Sequence, residues 1–125
     1  MEVIIGIDPH KASHTACAID GASVELAQCK VRAGRRQVDQ LLGWAAPFAS
    51  RTWAIESAGG LGYLLSQQLV AAGERVVDVP ATLSSRVRVL GSGRSNKNDP
   101  NDARSVAIAA LHAPNLTVVA ADDHT

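Results

Sequence analysis

Val3-Ile4-Ile5-Gly6-Ile7-Asp8 is a continuous apolar, largely β-branched run that stops on a carboxylate. Such a run suits a central strand covered on both faces. Working outward, His14 to Ile19 and Val24 to Val31 predict a second and a third strand. Asp20-Gly21 joins them as a two-residue hairpin turn, because both positions tolerate positive φ. In that register Cys17 faces Val24 and Cys29 lies far down the ladder. From about Arg36 the period lengthens: Val38, Leu41, Leu42 and Ala45 mark a helix stopped by Pro47. Thr52 to Glu56 is a short buried strand. After Gly59-Gly60, a stripe of Leu61, Leu64, Leu65, Leu69 and Ala72 predicts a second helix, closed by Gly73 as a left-handed cap. Arg75 to Val79 reads as a fifth strand. Pro80 opens a third helix through Leu83, Val87 and Leu90, and Gly91-Ser92-Gly93 releases it into a polar loop reaching Asn98. A fourth helix starts at Pro100, carries Ala103, Val106, Ala107, Ala110 and Leu111, and is closed by Pro114.

The order strand-strand-strand-helix-strand-helix-strand-helix-helix is that of the ribonuclease H-like α/β fold, a mixed five-stranded sheet flanked by helices. In that layout the first and fourth strands are parallel neighbours about 4.8 Å apart. At 125 residues and 46% apolar content the chain has material for one domain. Residues 1–113 are expected to form it, with 114–125 a linker or the truncated start of a following segment. No apolar run reaches ~18 residues and nothing at the N-terminus resembles a signal peptide, so a cytoplasmic protein with no membrane span is expected. Cys17 and Cys29 are then two buried, reduced thiols.

The formal charge is zero, 12 basic side chains against 12 acidic, but the distribution is uneven. Lys30, Arg32, Arg35 and Arg36 form one basic cluster; Arg86, Arg88, Arg94, Lys97 and Arg104 form a second around Asp99 and Asp102. Phosphate is the natural partner of such a frame. Aromatic residues are only 3%, so stacking platforms are scarce and any nucleic-acid contact is mainly electrostatic. Asp8 and Glu56 both fall at strand carboxyl ends, where open α/β sheets place their sites. Asp99 and Asp102, three apart at a helix start, lie on one side and can reach the same ion. Separately, each acid is explained as a strand-end polar group or a helix cap. Together they repel one another unless a hard divalent cation neutralises them. Two such ions about 3.5 to 4 Å apart can activate a nucleophile and stabilise the leaving oxygen of a phosphodiester.

Ile5-Gly6-Ile7-Asp8, Ala54-Ile55-Glu56-Ser57 and Lys97-Asn98-Asp99-Pro100-Asn101-Asp102-Ala103, followed by Ala107, resemble the DEDD transposases of bacterial insertion sequences, family one hundred and ten. The resemblance spans nearly all of residues 3–112 and includes Pro80 with the Arg-rich helix after it. It implies a domain similar to the RuvC resolvase and a magnesium-binding tetrad, with manganese as the alternative ion, made of Asp8, Glu56, Asp99 and Asp102. It further implies DNA transposition or recombination by phosphodiester transfer, a guide RNA as partner, a homo-oligomer, and a second domain carrying a nucleophilic serine. That domain is absent from this stretch, so the stretch alone is expected to be inactive. Lys11, Arg86, Arg88, Arg94, Lys97 and Arg104 are the candidate nucleic-acid contacts, Lys11 being equally explicable as an exposed side chain. Ser57 reads as a turn residue, and His10 and His14 as surface histidines.

Three rivals remain. An actin- or sugar-kinase-like ATP-binding domain shares the strand order, but needs amide donors after the first acid, where Pro9 supplies none. A lone Holliday-junction resolvase would cut branched DNA without a further domain. A non-enzymatic scaffold would bind RNA or DNA, or self-associate, without magnesium dependence.

Overall fold

The computed structural model describes residues 2–92 and 99–122, the side chains of 90–92 and 99–101 excepted. The elements follow the expected order: β1 (Glu2–Pro9), β2 (Ser13–Ile19), β3 (Glu25–Arg32), α1 (Gln37–Ala45), β4 (Ser50–Glu56), α2 (Tyr63–Ala71), β5 (Val76–Val79), α3 (Ala81–Ser92) and α4 (Asp99–His112). They form one sheet in the order β3-β2-β1-β4-β5. The pairs β3-β2 and β2-β1 are antiparallel; β1-β4 and β4-β5 are parallel.

The continuous apolar run of β1 is explained by its two covers. Odd-numbered Val3, Ile5 and Ile7 join Trp53, Ile55, Leu41, Leu65 and Leu69 in the core beneath α1 and α2. Even-numbered positions face α3 and α4, where Ala54, Val77, Val79 and Val106 pack together and Cys17, Ile19, Ala103 and Ala107 form a smaller group. Burial pushes the Cys17 thiol up to about 12 and that of Cys29 to about 11, so both free cysteines stay protonated. They pair with Gln28 and Ala16 respectively, on opposite faces of the sheet.

Three local readings differ from the sequence expectation. The β2–β3 connection is not a two-residue turn but spans residues 20–24. Asp20 Oδ1 accepts from the amides of Ala22 (2.8 Å) and Val24 (3.0 Å), Ser23 takes φ 65°, and the register shifts between Ala18 and Ile19. As a result Cys17 stands opposite Gln28, not Val24. In the second helix, Leu65 and Leu69 are buried but Leu61 and Leu64 are 58% and 62% exposed. The helix begins only at Tyr63 and turns Ser66, not Leu64, inward. Its end is as expected, with Gly73 at φ 86°. In the third helix, Gly91 and Ser92 continue the helix rather than break it; the loop through Gly93 to Asn98 lies outside the described residues.

The segment after Pro114 is docked. Val118 bridges Val77 antiparallel, Thr117 O accepts from Asp78 N at 2.9 Å, and Val119 N donates to Val76 O at 2.8 Å. Gln67 holds the same segment through Ala120 O (3.0 Å) and Asp122 N (2.9 Å), and the Tyr63 hydroxyl donates to Asp122. The outer edge of β5 is thereby covered.

Candidate functional site

The β1–β4 ladder pairs Gly6 with Ala54 and Ile7 with Ile55, so one step further Asp8 stands level with Glu56. Both are even-numbered and project toward the α3/α4 side. Gly6 decides how closely α4 approaches. A Cβ at this position would run into the Ala103 carbonyl and the Ala107 amide, so only glycine lets the helix backbone lie on the strand. That contact carries Asp102, the neighbour of Ala103, to the end of β1.

The acids register one another electrostatically. Burial pushes the Asp8 carboxyl above the ordinary aspartate range; His10 pulls it back, while the charges of Glu56 and Asp102 push it further up. Carboxylates from β1, β4 and α4 thus share one field. The side chain of Asp99 lies outside the described residues, as do Arg94 and Lys97. Each described acid has a partner. His10 Nε2 lies 2.9 Å from Asp8 Oδ2. The Ser84 hydroxyl donates to Glu56 Oε2. Arg88 Nη1 donates to Asp102 Oδ1 at 3.1 Å, and its Nη2 to Ser85 Oγ at 3.0 Å.

Among the described residues, no three His, Cys, Asp or Glu side chains are gathered closely enough to hold one ion. The donor chemistry suits a hard cation: the acids at this end of the sheet offer carboxylate oxygens, and among the described residues no thiolate stands with them. Asp8, Glu56 and Asp102 are the described residues that would hold it.

The basic residues divide. Arg88 is engaged with Asp102. Lys11 and Arg86 are exposed. Arg104 donates to Ser23 O at 3.3 Å, at the hairpin end of β2, opposite to the end at which Asp8 pairs with Thr15. Lys30, two strands from Asp8, belongs to the same cross-strand row through Thr15. The Thr15 hydroxyl in that row is buried and has no hydrogen-bond partner among the described residues.

Of the two histidines expected at the surface, His10 is there and His14 is not. His14 is buried at 4% exposure, with Nε2 donating to Gln37 Oε1 at 2.8 Å; Gln37 in turn donates to Gln68 at 2.6 Å. His10 is exposed, but its ring is fixed on Asp8. Its place two residues after the first acid was the available signal. Ser84 left no such signal, since only the packing of α3 over the end of β4 shows what its hydroxyl reaches. Ser57 is a turn residue, with φ 52° and its carbonyl accepting from Gly60 N at 2.8 Å.

Residues 5–125 match the family model described as transposase, of the DEDD type named for IS110. The "Insertion element IS116 uncharacterized 44.8 kDa protein" of Streptomyces clavuligerus is 35% identical over 103 residues. That match takes in 82% of this chain and 26% of the relative, so the chain spans about a quarter of the relative's length. Among solved structures, Thermus thermophilus RuvC in complex with a Holliday junction substrate superposes with a TM-score of 0.69 at 16% identity, covering 95% of this chain and 100% of that one. A further RuvC structure from Thermus thermophilus gives 0.65 at 17% identity, covering 94% and 99%. These likenesses give the fold, a mixed five-stranded RuvC-like sheet. The family model gives the lineage: the chain belongs to the IS110-type DEDD transposases.

Proposed function

We propose that this domain supplies the acidic centre of a DNA transposase or recombinase working by phosphodiester transfer. The observation that carries the reading is the shared field of Asp8, Glu56 and Asp102, delivered by three separate elements to one end of the sheet. Asp8, Glu56, Asp99 and Asp102 are the ligand set, and magnesium or manganese held there would neutralise charge developing on the scissile phosphate. Lys11, Arg86, Arg88, Arg94, Lys97 and Arg104 position the nucleic-acid backbone. Arg104 does so from the hairpin side, a longer reach from the acids than its place in the sequence suggests.

The RuvC structure bound to a Holliday junction favours branched or strand-exchanged DNA as the substrate form. A guide RNA, a homo-oligomer, residues 1–113 as the working unit and a cytoplasmic location belong to the same proposal. So does dependence on a further domain.

The test is replacement of Asp8→Asn, Glu56→Gln or Asp102→Asn in a longer protein that carries this domain. Recombination should fall by about a hundredfold or more. For Asp8→Asn the melting temperature should hold or rise, because burial and the neighbouring acids already disfavour the charged form of Asp8, whereas Asp102→Asn also gives up the ion pair with Arg88. Full recombination in Asp8→Asn and Asp102→Asn would refute the assignment.

A further inference from the structure

Ser84 and Arg88 lie four residues apart on α3, one helical turn, and therefore on one side of it. Each reaches a different acid. The Ser84 hydroxyl, fully buried, lies against Glu56 Oε2 and also within 3.1 Å of the Ala81 carbonyl. Arg88 lies 3.1 Å from Asp102. Glu56 ends a strand and Asp102 sits in the first turn of a helix, so nothing in the covalent chain fixes the distance between them. One side of α3 touches both.

We propose that Ser84 and Arg88 are positioning residues for the acidic centre, Ser84 orienting Glu56 and Arg88 serving as the built-in counter-cation of Asp102 that a divalent ion displaces. The inference rests on the metal-binding reading above and adds to it roles of opposite sign for the two side chains. Ser84 prepares an oxygen donor: a hydroxyl that donates to one carboxylate oxygen leaves the other aimed elsewhere. Arg88 occupies a carboxylate that the cation needs. Its guanidinium, once released, is already in place to receive a phosphate oxygen, for which its planar fork is suited.

Manganese binding to the 125-residue chain, measured by electron paramagnetic resonance alongside the melting temperature, tests both roles. Ser84→Ala should weaken manganese affinity by about tenfold. Arg88→Ala should strengthen it by about two- to fivefold, the range a partly exposed ion pair allows. Arg88→Lys, which keeps the positive charge, should return it toward the parent value. In an Asp102→Asn background the gain from Arg88→Ala should shrink. A merely structural role predicts that both alanine variants lose affinity and melting temperature together. That result, or no change in either, overturns the inference. If Ser84→Ala does not fold, the sign of the Arg88→Ala effect decides alone. Failure of the parent chain to bind manganese at all would instead refute the metal reading, and this inference with it.

Discussion

Glu74 shows how one side chain ties separate parts of the sheet together. Its carboxylate accepts from Arg51 Nε at 2.7 Å, Arg51 Nη2 at 3.0 Å and the indole nitrogen of fully buried Trp53 at 2.6 Å. Arg51 also donates to Phe48 O at 2.9 Å, which fastens the end of the α1 loop to β4. Burial alone would raise the Glu74 pKa. The hydrogen bonds from Arg51 and Trp53, with the Arg51 charge, outweigh it and hold the carboxyl below its ordinary 4.5. A depressed carboxyl adds stability that is complete above the unfolded value and disappears as pH falls through the folded one. Glu74→Gln should therefore cost about 1 kcal/mol at neutral pH. The difference from the parent should persist down to about pH 4.5 and close below it, as denaturant melts at a series of pH values would show. A gap that widened in acid would contradict the charged network. Trp53 is legible in the sequence as a strand residue, while Arg51 falls just before the expected strand and inside the observed one. Their meeting with Glu74 is not legible, because it depends on where the α2–β5 connection turns.

At the level of elements, the decisive contact is α4 on β1. Gly6→Ala should cost about 1–3 kcal/mol through overpacking, since the added methyl meets helix backbone that cannot rotate away. The loss should extend to function: pushing α4 off β1 carries Asp102 away from Asp8, so manganese affinity should fall with stability. Retained stability and affinity would mean that the helix tolerates a wider seat. The periodicities of β1, β4, α1 and α4 were readable because each is buried in the pattern its geometry demands. The hairpin length was not, because the Asp20 side chain organises a wider loop than an Asp-Gly pair suggests. The leucine stripe of α2 misled for a related reason. A periodic pattern does not fix where the first turn starts, and beginning at Tyr63 leaves Leu61 and Leu64 facing water.

Over the whole molecule, a zero formal charge hides an uneven surface, with Lys30, Arg32, Arg35 and Arg36 all exposed along β3 and the loop after it. With few aromatic side chains, binding to DNA should behave as ion exchange. For about four phosphate contacts, affinity should fall about a hundredfold between ~50 and ~200 mM salt, as fluorescence anisotropy would record. An affinity indifferent to salt would remove the electrostatic surface from the account. Topology and the convergence of the strand-end acids could be anticipated, since both follow from strand order. The docking of residues 117–122 could not, because Val118 and Val119 are too short a run to announce a strand. That docking closes the β5 side of the sheet and leaves β3 as the one border still able to accept a neighbour among the described residues. An identical copy laid along it in parallel would set Lys30 against Lys30 and Arg32 against Arg32. Like charges directly opposite one another then work against growth of the sheet in that direction.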